Sequence, residues 1–401
     1  MTMDAEDLLL REFLGIRTGQ ETAEAARWIR SQQRADGTWA TFHGGPGDLS
    51  TTIEAYVALR LAGDDPDAAH MRRARRFVLA WGGVERSRVF TRIWLALFGL
   101  WSWDDLPNMP PELVFLPRWC PLNVYDWACW ARQTVVPLTV VATLRPVRPL
   151  PFGLDELRSG APAPPTAPLR SWAGAFERLD AVLHRYAKHP VRPLRRLAMR
   201  RAAEWVLARQ EADGSWGGIQ PPWVYSLLAL HLLGYPLDHP AVKAGLDGLE
   251  RFLVREETPD GVVRRLEACQ SPVWDTCLAV TALLDAGVAA DDPALVRAAG
   301  WMLDEEITVT GDWAVRRRTS RRAAGRSSST TTAIRTPTTP PRWCSRCAGW
   351  RTPTGTACAR RSSAASPGRS GCSRRTAGGP RSTRTTPRCS SPSCRSATSG
   401  R

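Results

Sequence analysis

Trp28-Ile29-Arg30-Ser31-Gln32-Gln33-Arg34-Ala35-Asp36-Gly37-Thr38-Trp39 and Trp205-Val206-Leu207-Ala208-Arg209-Gln210-Glu211-Ala212-Asp213-Gly214-Ser215-Trp216 are two copies of one motif, 177 residues apart. In both, a Gln, a Gly and a second Trp follow the first Trp at the same intervals. A looser copy runs Trp301, Glu306, Gly311, Trp313, with one extra residue in its loop. Each reads as a helix end and a turn, in which Gly permits a left-handed cap and Asp favours the reversal. The Gln (Gln33, Gln210) can bond backbone groups orphaned at a helix terminus while the Trp (Trp39, Trp216) packs over it, so the motif clasps neighbouring helices.

Outward from these repeats the pattern stays helical. Apolar residues recur at i, i+3 and i+4 in Ile53 to Leu61, Val224 to Leu233 and Leu278 to Leu284, ending at Gly63, Gly234 and Gly287. Thr51-Thr52 and Asp275-Thr276 suit helix starts. Strand alternation is nearly absent. Repetition with helical periodicity predicts an all-α fold of paired inner and outer helices closing into an α/α barrel or toroid.

The vocabulary of the chain changes after Arg316. Residues 317–401 use nine residue types, with no acid, Leu, Val, Phe or Lys. Ordering a residue costs roughly 1.5 kcal/mol, and Ile334, Trp343 and Trp350 are too few large apolar groups to offset that. The tail is therefore expected to be disordered. It holds 19 of the 54 basic residues, so the first 316 carry 35 basic and 39 acidic groups and the net charge of +15 belongs to the tail. A nucleic-acid arm is one reading of that charge, but a tail with Arg and no Lys fits poorly.

A second reading is a shift of reading frame. Moving back one base turns a Thr codon into a candidate Asp codon and a Pro codon into a candidate Thr codon. Thr336-Pro337-Thr338-Thr339 then becomes Asp-Thr-Asp-Asp, and with synonymous codons chosen freely Arg318 to Cys344 reads back as PDVPPGGWAFELDNDSYPDTDDTAAVV. Acids and aromatics thus return to an acid-free segment.

Cysteine does not indicate secretion. Six of the ten lie in the tail, and Cys120, Cys129, Cys269 and Cys277 read as reduced core residues. Cys344-x-x-Cys347 has no second ligand pair. The His residues (His43, His70, His184, His189, His231, His239) form no metal-type spacing, and His231 and His239 read as helix and cap residues. No metal site is expected. Gly44-Gly45-Pro46-Gly47 follows no strand, so no nucleotide loop is expected either. The acidic Met1 to Asp7 stretch is unlike a signal peptide, and the longest uncharged apolar run, Gln133 to Leu144, is too short to span a bilayer.

The repeats, Gly44 to Tyr56, Gly214 to Trp223, Ser271-Pro272-Val273-Trp274-Asp275-Thr276 and Gly311 to Val315 together resemble the bacterial squalene-hopene cyclases, over nearly all of residues 5–316. Relative to that family the chain looks truncated at both ends. The resemblance implies an α/α barrel domain at 1–270, the first helices of a second, catalytic barrel at 271–316, and an out-of-frame tail at 317–401. It implies cyclisation of squalene to hopene or hopanol without cofactors, begun by the middle Asp of an Asp-x-Asp-Asp motif. Those positions are Thr336, Pro337, Thr338 and Thr339, none of which can deliver a proton, so no catalytic residue is assigned and the chain is expected to be inactive as written.

The same resemblance makes Ile219, Gln220 and Pro221 candidates for positioning the water that ends the cascade, and Trp274 and Trp130 candidates for lining the cavity. A turn ligand and plain core packing are the competing readings. Asp275 reads as a helix N-terminal charge. The implied partners are a squalene-like apolar substrate and a membrane surface, with no nucleic acid and a homodimer left open. The implied location is peripheral, on the cytoplasmic face of the bacterial inner membrane, or cytoplasmic if the chain is misfolded. Seven basic residues between Arg185 and Arg201, beside the Pro-rich linker Arg145 to Pro168, could lie on anionic lipid or form a solvated helix face. A non-catalytic helical-repeat binding protein with a basic tail is the alternative function.

Overall fold

The computed structural model describes residues 1–160, 167–168, 170–307, 311–312, 315 and 324–325. Its helices are α1 (Thr2–Leu14), α2 (Gly19–Ser31), α3 (Leu49–Leu61), α4 (Ala69–Ala80), α5 (Val89–Leu97), α6 (Cys129–Leu144), α7 (Trp172–Lys188), α8 (Arg192–Leu207), α9 (Gln220–Leu232), α10 (Pro240–Arg251), α11 (Pro272–Asp285) and α12 (Pro293–Asp304). The α/α barrel expected from the repeats is the architecture found. Inner helices α1, α3, α5, α6 and α9 are buried over most of their length; α3 buries Ser50 to Leu59 without interruption. Outer helices bury one stripe. In α4 it is Met71, Ala74 and Val78, and in α10 it is Val242, Gly245 and Leu249. Helix α1 packs against both α3 and α9 and so joins early and late parts of the barrel.

The two Gln-Trp repeats have matching geometry. Gln33 Nε2 donates to Gly37 O (3.0 Å) and His70 O (2.9 Å), and Gln210 Nε2 to Gly214 O (3.1 Å) and Ala241 O (2.7 Å). Each Gln thus ties its own turn to the first turn of the next outer helix, α4 or α10. A carbonyl in the last turn of the preceding helix takes a second hydrogen bond from the indole. Trp39 Nε1 donates to Ile29 O (2.7 Å) and Trp216 Nε1 to Val206 O (2.8 Å), both from fully buried rings. Gly214 has φ +86°, and a Cβ there would overlap the Ala244 carbonyl, so two constraints require Gly at that turn. Of the third copy, Trp313 lies outside the described residues.

The ends foreseen at Gly63, Gly234 and Gly287 have φ of +95°, +90° and +89°, and each residue beyond closes back on the helix, as Tyr235 N does on Leu230 O (3.1 Å). The starts lie earlier than the sequence suggested. Asp48 caps α3 by accepting from Thr51 N (2.8 Å), and α11 begins at Pro272, with Asp275 in its first turn.

Strands depart from the all-helical expectation. Strand β1 (Leu253–Thr258) pairs antiparallel with β2 (Gly261–Leu266) around Pro259-Asp260. Charges obscured its alternation, because this hairpin packs through ion pairs: Arg264, 2% exposed, meets Asp7 at 2.7 Å, and Leu266 N donates to Asp4 Oδ1 at 2.7 Å. The acids of the N-terminus are thereby inside the fold. A shorter ladder joins β3 (Glu306–Ile307) to β4 (Ala324–Gly325), in the segment expected to lack structure. Backbone pairing needs no particular side chain, so the poor composition of the tail does not forbid it. The rest of 326–401 lies outside the described residues, as do Thr336 to Thr339, Cys344 and Cys347.

Other expectations need correction. The linker Arg145 to Pro168 is not a free connector, because Leu154 and Leu157 are buried in the core. Cys120, Cys129 and Cys277 are half-buried and Cys269 is exposed; all four are free thiols, none fully inside the core. Cys269 lies in a segment whose backbone pairs with 218–220, which leaves its side chain at the surface.

Candidate active site

Gln220 opens α9, where Pro221 and Pro222 suit the first turn because a proline at those positions forfeits no helical hydrogen bond. Its backbone N donates to Ala268 O (3.0 Å), and the Ile219–Cys269 bridge continues this pairing towards α11. The side chain is 1% exposed, yet neither Nε2 nor Oε1 has a direct hydrogen-bond partner among the described residues. A turn ligand would spend those atoms on nearby backbone. This side chain lies beside the Glu6 carboxyl, in a polar cluster inside the barrel.

The cluster centres on two carboxyls from different inner helices, Glu6 of α1 and Glu54 of α3, exposed 4% and 2%. Burial, and next the Glu54 charge, push the Glu6 carboxyl up to about 8, against weaker opposing effects of Gln220, Trp94 and Arg88. Gln220 and Trp94 come close enough to favour the charged form, but neither completes a direct hydrogen bond. Burial also raises Glu54. It is opposed by the Thr91 hydroxyl, which donates to Glu54 Oε1, by Arg88 at 3.6 Å and by Thr2. Burial, Glu6 and Glu54 hold the Tyr225 phenol well above its usual value. Trp94 and Tyr225 pack with ring centroids 5.9 Å apart, and the Trp94 Nε1 and Tyr225 hydroxyl are also without direct partners among the described residues.

Pushed up to about 8, Glu6 keeps its proton at neutral pH; Glu54 is raised as well, with the Thr91 hydroxyl and Arg88 opposing the rise. Two neighbouring buried carboxyls can share a proton. Buried polar atoms without protein partners are the usual setting of ordered water. A carboxyl with a pKa near 8 is far too weak to protonate an alkene.

Of the residues foreseen, Gln220 joins this cluster, with Ile219 and Pro221 half-buried beside it. Trp130 and Trp274 do not. They are 58% and 54% exposed at the N-terminal ends of α6 and α11. Trp130 lies one turn before Gln133, which abuts Gly217, so the α6 end adjoins the segment leading to Gln220. Sequence reasoning missed Glu6, Glu54, Trp94 and Tyr225. The available signal was partial: Glu54 is the one acid of the apolar helix α3, whereas Glu6 is one of four acids in α1 and nothing local singles it out. Among the described residues no group of His, Cys, Asp and Glu could hold a metal ion, and His239 caps α10 by accepting from Ala241 N (3.2 Å).

The squalene-hopene cyclase N-terminal domain matches residues 1–258, and the C-terminal domain of the same enzymes matches 270–326. The chain is 47% identical over 320 residues to the squalene-hopene cyclase of Alicyclobacillus acidocaldarius, covering 79% of this chain and 50% of that protein. It is 37% identical to the squalene-hopene cyclase of Zymomonas mobilis (79% and 49%) and 36% to the dammaradiene synthase of Dryopteris crassirhizoma (77% and 45%). The chain thus spans about half the length of these relatives. With its barrel, its paired Gln-Trp turns and both domain matches, the chain belongs to the squalene-hopene cyclase family.

Proposed function

We propose that this chain carries the cascade-ending half of a triterpene cyclase acting on a squalene-like apolar substrate, and that it cannot start the reaction. The observation that carries this is Gln220, a buried amide with no direct hydrogen-bond partner among the described residues, beside the Glu6 carboxyl. Water held between the amide, the Trp94 N–H and the carboxyls would meet the last carbocation. It could remove a proton to leave an alkene or add to give an alcohol, with the released proton passing to Glu54. Starting the cascade needs a much stronger acid, which the family carries at the positions of Thr336, Pro337, Thr338 and Thr339. A one-base frame change near Arg316 to Arg318 accounts for its loss.

The test is squalene conversion by two proteins. The 401-residue chain should give no pentacyclic product, whereas the protein from the frame-corrected gene should give hopene or hopanol. Product from the chain as written would overturn the reading, as would a corrected protein that is folded but inert. In the corrected protein, Gln220→Ala should change the ratio of alkene to alcohol.

The same proposal includes a membrane-facing side. Helix α7 exposes Trp172, Phe176, Leu179 and Val182 along one stripe, and α8 exposes Leu194 and Leu197 between Arg192, Arg196 and Arg200. Not all of the basic run faces outward, since Arg195 turns in to Glu112 at 2.7 Å. Apolar groups flanked by cations suit an anionic bilayer surface. No described helix is long and apolar enough to cross a membrane. Sedimentation with phosphatidylglycerol vesicles, but not with phosphatidylcholine alone, is expected, and Trp172→Glu with Phe176→Glu should abolish it. The alternative, a non-catalytic repeat protein with a basic tail, would show salt-dependent RNA affinity lost on deleting 317–401.

A further inference from the structure

Arg132 of α6 and Arg209, just past α8, converge on one carboxylate from far along the chain. Arg209 grips Asp312 with two bonds, Nη2 to Oδ1 at 2.7 Å and Nε to Oδ2 at 2.9 Å, and Arg132 Nε reaches Oδ2 at 3.2 Å. Both guanidiniums are set in place by the barrel. Arg209 lies 3.8 Å over the Trp205 ring and donates to the Tyr125 hydroxyl (3.2 Å), and Arg132 Nη1 donates to Trp127 O (2.9 Å). The arginine side chains are only 9% and 17% exposed. The buried Glu211 is a second acid on this side of the barrel, and its Oε1 accepts from Gly217 N (3.1 Å). Two largely buried cations side by side need a neutralising acid, and a fork that binds both carboxylate oxygens selects its orientation as well.

The repeats show how that acid came to be available. In the first two turns the residue before Gly is Asp36 or Asp213, and its Oδ1 is spent inside the turn on Thr38 N (3.1 Å) or Ser215 N (2.9 Å). The third turn inverts the order: Thr310 precedes Gly311 and Asp312 follows it. Its acid stands where Thr38 and Ser215 stand in the other copies, and it reaches out to the barrel.

We propose that Arg132 and Arg209 form a socket on the first barrel for the second domain, and that Asp312, presented by the third repeat turn, is the group that docks there. The inference needs only the fold and stands apart from the catalytic reading. The socket joins α6 and α8 to the segment following α12, within the stretch matched by the family's C-terminal domain.

Hydrogen exchange on the full 401-residue chain tests it. Asp312→Asn is expected to speed exchange in peptides covering 293–307 by about tenfold or more, leaving peptides of α1 and α3 unchanged. Arg209→Met should speed exchange in the same peptides but by less, since Arg132 keeps its contact with Asp312, and adding it to Asp312→Asn should add nothing further, since the contact it removes is already lost. Unchanged exchange at 293–307 would overturn the proposal, as would equal acceleration throughout the chain or fully additive effects. Should Arg209→Met fail to fold, Asp312→Asn alone decides the case by the same readout.

Discussion

Glu6→Gln is a test of the buried carboxyl pair that needs no substrate. In the folded barrel Glu6 titrates at about 8 instead of the usual 4.5, because burial and the Glu54 charge oppose its ionisation. A raised acid binds its proton more tightly folded than unfolded, so its contribution is complete below the usual 4.5 and is lost as pH rises from there through about 8. Ionising it inside the barrel costs about 5 kcal/mol relative to the unfolded chain, comparable to the total stability of a typical domain. Between pH 7 and 9 the loss attributable to Glu6 is on the order of 1 kcal/mol. This window lies above ordinary His titration and below that of the raised Tyr225. Urea unfolding followed by Trp fluorescence should show the wild-type chain losing that much stability across the window. Glu6→Gln should lose less than half as much, and should be the more stable protein at pH 9. Parallel curves for the two proteins would refute the assignment, because they would mean that Glu6 is already ionised in the fold at pH 7.

The repeats support further predictions. Trp216→Phe keeps the ring packing but strips one of two donors from the buried Val206 carbonyl, leaving Arg209 N, and should cost about 0.5–1.5 kcal/mol in the same unfolding assay. Trp39→Phe should cost a similar amount, since Trp39 Nε1 bonds Ile29 O in the same way. Gly214→Ala, which drives a Cβ into the Ala244 carbonyl, should cost more than about 3 kcal/mol. Gly234→Ala has open space and a φ of +90°, and should cost only the left-handed strain of about 1–2 kcal/mol, read as a shift in urea midpoint.

How far the sequence could be read follows from the range of each interaction. The repeat turns were legible because their determinants lie within a dozen residues: Gln33, Gly37 and Trp39 do their work in one turn and one neighbouring helix. The glycine-terminated helix ends were legible for the same reason. The hairpin was not, because its inward residues include Arg264, whose partner Asp7 is at the other end of the chain. Glu6 and Glu54 were hidden likewise. On a helix such as α1 an acid could belong equally to the surface, and only the closure of α1 between α3 and α9 shows that Asp4 and Asp7 serve the hairpin while Glu6 faces the barrel interior.

That division of labour on α1 bears on how the barrel tolerates its own chemistry. Asp7 shares its charge with Arg11 and Arg264 at 3.1 and 2.7 Å, so burying it is compensated on the spot. Glu6 is one residue away and has no comparable cation, since Arg88 acts on it only weakly and meets Glu54 instead. Had evolution needed only a stable helix, an apolar residue at position 6 would avoid the penalty altogether. A carboxyl kept neutral by its surroundings, next to a second carboxyl and a Gln with both amide atoms uncommitted, is an arrangement that costs stability and is useful only if something polar binds there. The water-holding, proton-accepting role proposed for this cluster would meet that requirement.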